Sequence, residues 1–175
     1  MSTNTSADAA DPAPGRAECA PTRSRRAELE QAYRKARYCV ETADGSWVLR
    51  IDRAADEVAA WMAGHGTHRL VVLTACNPGS QPLTEEENQQ RQQRLERAVT
   101  EQGLRAWPAC NRDPLGHWPD EPGLAIADLP EHLLARWLET FGQNAAVLLE
   151  PPEPPRLVWR AGRTGRPVPP PGDAD

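Results

Sequence analysis

Residues 70–91 read LVVLTACNPGSQPLTEEENQQR, and this stretch decides the fold. Its first four residues, Leu70, Val71, Val72 and Leu73, form a short apolar run rich in β-branched side chains, suited to an interior strand. Asn77, Pro78, Gly79 and Ser80 make a turn cluster that stops it. Thr84 followed by Glu87 is a capping box, in which the hydroxyl takes a first-turn amide and the carboxylate reaches back. A helix therefore follows over residues 85–102, ended by Gly103. Leu95 and Val99 mark its inner stripe, and Asn88, seven and eleven positions earlier, is expected on the same buried face. A buried amide beside a strand end and a helix start must be satisfied by something. An interior strand feeding directly into a helix also implies a sheet with helices packed against it.

The rest of the chain supplies more of that sheet. Asp44-Gly45 suits a two-residue type I′ turn joining strands in residues 37–52. The expected register pairs Thr42 with Trp47, Val40 with Leu49 and Tyr38 with Ile51 on one face. Cys39 then faces Arg50, and Arg37 faces Asp52, on the other. A short helix is expected over residues 54–62, with Val58, Trp61 and Met62 inward. Residues 104–107 read as a strand, residues 111–122 (NRDPLGHWPDEP) as a long loop, and residues 123–127 as a returning strand. A second strong helix spans residues 129–141, with Asp128 as its cap and Leu133, Leu134, Trp137, Leu138 and Phe141 as its stripe. Residues 145–149 and 156–159 read as further strands. The expectation is a single α+β domain over residues 25–160, with a mixed, mostly antiparallel sheet and three to four helices against it. Residues 1–24 and the Pro/Gly-rich residues 161–175 are expected to be disordered tails.

Composition narrows the function classes. The chain has 175 residues, a net charge of −5 and 39% hydrophobic content. An acidic balance argues against nucleic acid as a partner, because phosphate neutralisation needs a basic face. Arg23, Arg25, Arg26, Arg34, Lys35 and Arg37 do cluster, but interleaved Glu28 and Glu30 point to a solvated helix face, with Leu29 and Tyr33 as its apolar pair. No run approaches the roughly 20 apolar residues a membrane span needs, and no secretory leader is visible, so a cytoplasmic protein is expected. Four scattered cysteines are then expected as thiols. His65 and His68, with Cys76 as a conceivable third ligand, lack an acidic or paired-cysteine partner, so no metal is expected. No phosphate loop, Ser-His-Asp arrangement or HExxH run occurs, and no cofactor is expected.

Polar residues recur at the junctions between elements: Thr74, Asn77, Ser80 and Asn88, then Trp118 and Glu121, then Gln143 and Asn144. These carry a resemblance. The T-A-x-N-P-x-S turn at 74–80 followed by Asn88, the W-x-x-E element at 118–121, and the F-G-Q-N-A run at 141–145 resemble a bacterial family catalogued as domain of unknown function 3293. The resemblance runs over about residues 28–159. It implies a shared fold and pocket, and no activity. The family pattern often has Trp where this chain has Cys76, which speaks against Cys76 as a nucleophile.

Two functional readings stand. In the first, Thr74, Asn77, Ser80, Asn88, Trp118, Glu121, Gln143 and Asn144 line a pocket for a small polar ligand, including nucleotide-like ones. Amides offer donors and acceptors together, and Glu121 is the candidate general acid or base. Glu85, Glu86 and Glu87 crowd the long helix's amino terminus and disfavour a strongly anionic ligand. In the second, the amides are structural and the domain binds a protein through its tryptophan-containing loop. Four of the residues, Asn77, Asn88, Glu121 and Gln143, are expected to meet in one cluster under the Trp118 loop.

Overall fold

The computed structural model describes residues 23–161. The expected tails fall almost wholly outside the described residues, except that Arg23 and Ser24 already belong to helix α1 (Arg23–Lys35). The interior strand is β3 (Leu70–Thr74), buried at every position. Around it lie β1 (Arg37–Thr42), β2 (Gly45–Leu49), β4 (Ala106–Arg112), β5 (Glu121–Ala127), β6 (Ala145–Leu149) and β7 (Arg156–Trp159) in the order β2-β1-β4-β5-β3-β6-β7. The architecture is α+β, and all six strand pairs are antiparallel, so the sheet lies at the antiparallel end of the expectation.

Strand alternation divides the core into two layers. Tyr38, Val40, Leu49, Leu70, Val72, Ala125, Val147 and Leu149 pack with Val58, Trp61 and Met62 of α2 (Asp56–Gly64) on one face. Val71, Leu73, Ile126, Ala146 and Leu148 pack on the other with Leu95 and Val99 of α3 (Glu85–Glu101) and Leu134, Trp137 and Leu138 of α4 (Glu131–Thr140). The period of 2 in the strands and about 3.6 in the helices accounts for both layers. The α3 capping box is present: Thr84 accepts from the Glu87 amide at 3.2 Å, and Glu87 accepts from the Thr84 amide at 2.9 Å.

Four local expectations are corrected. The first hairpin is shifted by two residues, with Thr42 opposite Gly45, Val40 opposite Trp47 and Tyr38 opposite Leu49. Ala43 and Asp44 form its turn, and neither has positive φ. The Thr42 hydroxyl accepts from the Asp44 amide and donates to the Gly45 carbonyl, while Trp61 Nε1 donates to Asp44. These bonds outweigh the preference of Asp-Gly for a type I′ turn. A two-residue slip preserves the faces, so the core was assigned correctly while Asp52 pairs with Arg34 instead of Arg37. Second, β4 runs on to Arg112 and β5 begins at Glu121, leaving only residues 113–120 as loop. Pairing on both sides, to β1 and β5, overrides the turn-forming composition. Third, Asp128 does not cap α4. Its backbone is left-handed and its carboxylate accepts from the amides of His68 and Arg69, pinning the entry to β3. Fourth, Asn88 is half-buried; the buried stripe of α3 is Gln92, Leu95 and Val99.

Candidate functional site

Register alone assembles the centre of the site. Tyr38 on β1 lies opposite Asn111 on β4, and Asn111 lies opposite Glu121 on β5. Directly opposed residues share a face, so the three stand in one cross-strand row. Beside this row β3 ends and the chain turns at Asn77, whose φ of 46° is left-handed, a conformation Asn tolerates better than most residues.

Asn77 is the hub. Its Nδ2 donates to Glu121 Oε1 at 2.7 Å, and its Oδ1 accepts from the Leu83 amide and from Asn88 Nδ2, both at 2.9 Å. Asn88 Oδ1 accepts in return from the Asn77 amide at 2.9 Å. Trp118 reaches in from the loop, and its Nε1 donates to the same Glu121 oxygen at 2.8 Å. The loop itself is tied by Asp113, whose carboxylate accepts from the amides of Leu115, His117 and Trp118 and is held below the usual range by those bonds, that from Leu115 most of all. Burial pushes the Glu121 carboxyl up; hydrogen bonds from Asn77, Trp118 and Asn111 pull the other way without cancelling it. The balance favours the protonated acid more than in an exposed glutamate.

Asn77, Asn88, Glu121 and Trp118 therefore meet in one hydrogen-bonded group. Gln143 joins it only through the backbone: Nε2 donates to the Cys76 carbonyl at 2.8 Å, while the Gly79 amide donates to the Gly142 carbonyl at 2.8 Å. Thr74 donates to the Pro122 carbonyl and accepts from the Cys76 amide, fixing the strand exit. Ser80 and Asn144 lie in a separate group with Tyr33, in which Asn144 Nδ2 donates to Ser80 Oγ at 3.0 Å and to Tyr33 Oη at 3.3 Å. Tyr33 Oη and Ser80 Oγ are 2.9 Å apart.

A cavity of about 780 Å³ opens beside both groups, between α1 and the 113–120 loop. Tyr33, Tyr38, Ser80, Asn111 and Trp118 line it. Asn111 Oδ1 is buried and has no hydrogen-bond partner among the described residues. Sequence reasoning missed Tyr33, Tyr38 and Asn111. Only the strand register could have singled out Asn111 and Tyr38, by placing them opposite Glu121. It also missed Arg91, whose guanidinium donates to the Ala75 and Phe141 carbonyls and ties α3 to the ends of β3 and α4. The histidine–cysteine set does not assemble. His65 contacts Asp44 and Trp61 before β3 begins, whereas Cys76 lies beyond the far end of β3. Among the described residues no group of three or more His, Cys, Asp or Glu side chains could hold a metal ion, and no helix is long and apolar enough to cross a membrane.

The family resemblance read from the motifs has a counterpart in the comparisons. Residues 73–146 match the family model described as protein of unknown function (DUF3293). The match takes in the Asn77 hub, Asn111, Trp118, Glu121 and Asn144, but not α1 and β1, which contribute Tyr33 and Tyr38. Neither a curated protein nor a solved structure matches the chain.

Proposed function

We propose that this domain binds a small polar molecule in the cavity between α1 and the 113–120 loop. The observation that carries the reading is Asn111: a cavity-wall side chain whose buried Oδ1 has no partner among the described residues, set opposite the half-buried Glu121 in the β4–β5 ladder. While Glu121 is ionised it can only accept, so it draws the amide nitrogen and leaves the oxygen for a donor group on a ligand. Burying such an acceptor unpaired costs about 1–3 kcal/mol, which a bound N–H or O–H group would recover. The volume lies within the roughly 300–1,000 Å³ usual for small-molecule sites. Trp118, Tyr33 and Leu29 supply flat or apolar surface for the body of the molecule. Arg25, Lys35 and Arg112 are mixed with Glu28 and Asp113 on the walls, a pattern that does not single out a highly charged anion.

This assigns different roles to the sequence-derived residues. Asn77, Asn88, Thr74 and Gln143 are the frame, because each spends its hydrogen-bonding groups on the chain itself. Ser80, Asn111 and Trp118 face the ligand together with Tyr33 and Tyr38, and Asn144 positions Ser80. Glu121 stands behind Asn111 and Trp118 as the group that sets their orientation and as the one candidate acid or base of the site. The protein-docking alternative has Leu115, 65% exposed at the loop tip, in its favour; Trp118 itself is turned to Glu121.

The test is a thermal-shift screen against nucleosides, amino acids and other small metabolites bearing N–H or O–H donors. A compound at a hundred times its dissociation constant adds about 2.7 kcal/mol of stability. Asn111→Ala and Trp118→Ala should each abolish the shift produced by a hit. A hit whose shift survives both substitutions binds elsewhere and refutes this assignment.

A further inference from the structure

Next to the cavity row, the sheet sets two cysteines face to face. Cys39 on β1 and Cys110 on β4 are direct cross-strand partners, and both are free thiols. Opposed residues in an antiparallel pair project to the same side, with Cα atoms about 4.5 or 5.5 Å apart according to the ladder position. Either spacing lies inside the roughly 4.4–6.8 Å that a disulfide spans. The two thiols differ in access: Cys39 is buried and Cys110 is only half-buried. Arg112, two residues along the same strand, lies near Cys110 and is itself paired with Asp120 at 3.1 Å. Burial pushes the Cys110 thiol up, and the Arg112 guanidinium draws it back. Exchange through Cys110 is therefore faster in mildly alkaline solution, where more thiolate is present.

We propose that Cys39 and Cys110 form a dithiol that a low-molecular-weight disulfide oxidises to a cross-strand disulfide between β1 and β4. Cys110, the accessible member, gives its proton to solvent, and its thiolate attacks one sulfur of the small disulfide. That S–S bond breaks, and the leaving thiolate takes up a proton. Cys39 loses its proton in turn and attacks the Cys110 sulfur of the mixed disulfide, releasing the second small thiolate. Two protein thiols are oxidised and one small disulfide is reduced to two thiols. The link bears on the site by position, since Cys39 follows Tyr38 and Cys110 precedes Asn111, and those neighbours are themselves cross-strand partners. The proposal stands independently of any ligand, because it concerns the strands alone.

The test uses the full chain carrying Cys19→Ser, reduced, freed of reductant and exposed in native buffer to glutathione disulfide. The reaction is quenched in acid, remaining thiols are blocked with N-ethylmaleimide, and the products are mapped by mass spectrometry. The expected product has lost two hydrogens, yields a linked peptide joining positions 39 and 110, and carries its maleimide on Cys76. Dithiothreitol should restore both thiols. Adding Cys39→Ser should trap Cys110 as a stable glutathione mixed disulfide, and adding Cys110→Ser should leave Cys39 unmodified over the same time. The proposal is overturned by no reaction, by a lasting glutathione adduct on Cys110 while Cys39 is present, by a Cys76–Cys110 link, or by a 39–110 link that forms only in denaturant.

Discussion

Replacing Asn77 by alanine tests the hub of the site most directly. Asn77 is 4% exposed and makes three side-chain hydrogen bonds, to Glu121, Leu83 and Asn88. Alanine removes all three. Asn88 keeps a contact with the Leu83 carbonyl at 3.5 Å, and Glu121 keeps Trp118, but the Leu83 amide is left without its acceptor. Stranding that donor costs about 1–3 kcal/mol, and losing a bond to a carboxyl group costs a similar amount. Alanine in the left-handed conformation adds about 1–2 kcal/mol. Water entering the vacated space recovers part of this, so the expected loss is about 3–5 kcal/mol. Glycine removes the same hydrogen bonds without the left-handed strain, so Asn77→Gly should be the more stable of the two by about 1 kcal/mol. Urea unfolding followed by tryptophan fluorescence measures both. An Asn77→Ala variant within about 1 kcal/mol of the parent, on the same scale of bond energies, would refute the hub; an alanine variant as stable as the glycine one would refute the strain term.

Other outcomes follow from separate features. Gly123→Ala should destabilise by about 1–3 kcal/mol or more, because its Cβ would lie 2.6 Å from the Leu73 carbonyl oxygen within the β3–β5 ladder; urea unfolding at parental stability would contradict that contact. Leu138→Ala, fully buried on the inner face of α4, should cost about 2–5 kcal/mol in the same assay. Glu121 should leave a signature in pH. Its folded carboxyl is raised above the ordinary 4.5, so the stability it contributes is full below that value and is lost as pH rises through the folded pKa. Glu121→Gln should flatten this part of the pH–stability curve, measured by thermal unfolding from acid to neutral pH; an unchanged slope would mean that the carboxyl is not desolvated.

Much of this was legible because it is local. A capping box needs only Thr84 and Glu87, and the α4 stripe needs only the 3.6-residue period, so both follow from neighbours in the chain. The hairpin marks the boundary of such reasoning. Alternation assigned Tyr38, Val40, Leu49 and Ile51 to one face correctly, yet the turn falls one residue earlier than expected, which shifts the pairing by two, because Trp61, from the following helix, holds Asp44. Asn88 was similarly half-read: the helix was right, but its amide turns to Asn77 instead of into the core.

The sequence by itself determined that interior strands and amphipathic helices would make an α+β domain, and it picked out Asn77, Asn88, Glu121 and Gln143 as residues that would meet under the Trp118 loop, although Gln143 reaches the others only through the Cys76 carbonyl. Patterns of hydrophobicity and turn chemistry repeat within a few residues, and so survive without coordinates. Only the tertiary structure decided which side chains complete the site. Asn111 is an unremarkable residue in a turn-rich segment until β4 pairs on both edges and sets it between Tyr38 and Glu121. Tyr33 becomes a cavity wall only because α1 lies over the sheet, stacked on Trp159 with ring centroids 5.7 Å apart. Register between distant strands and the docking of a polar helix depend on contacts spread across the whole chain, and no local pattern encodes them.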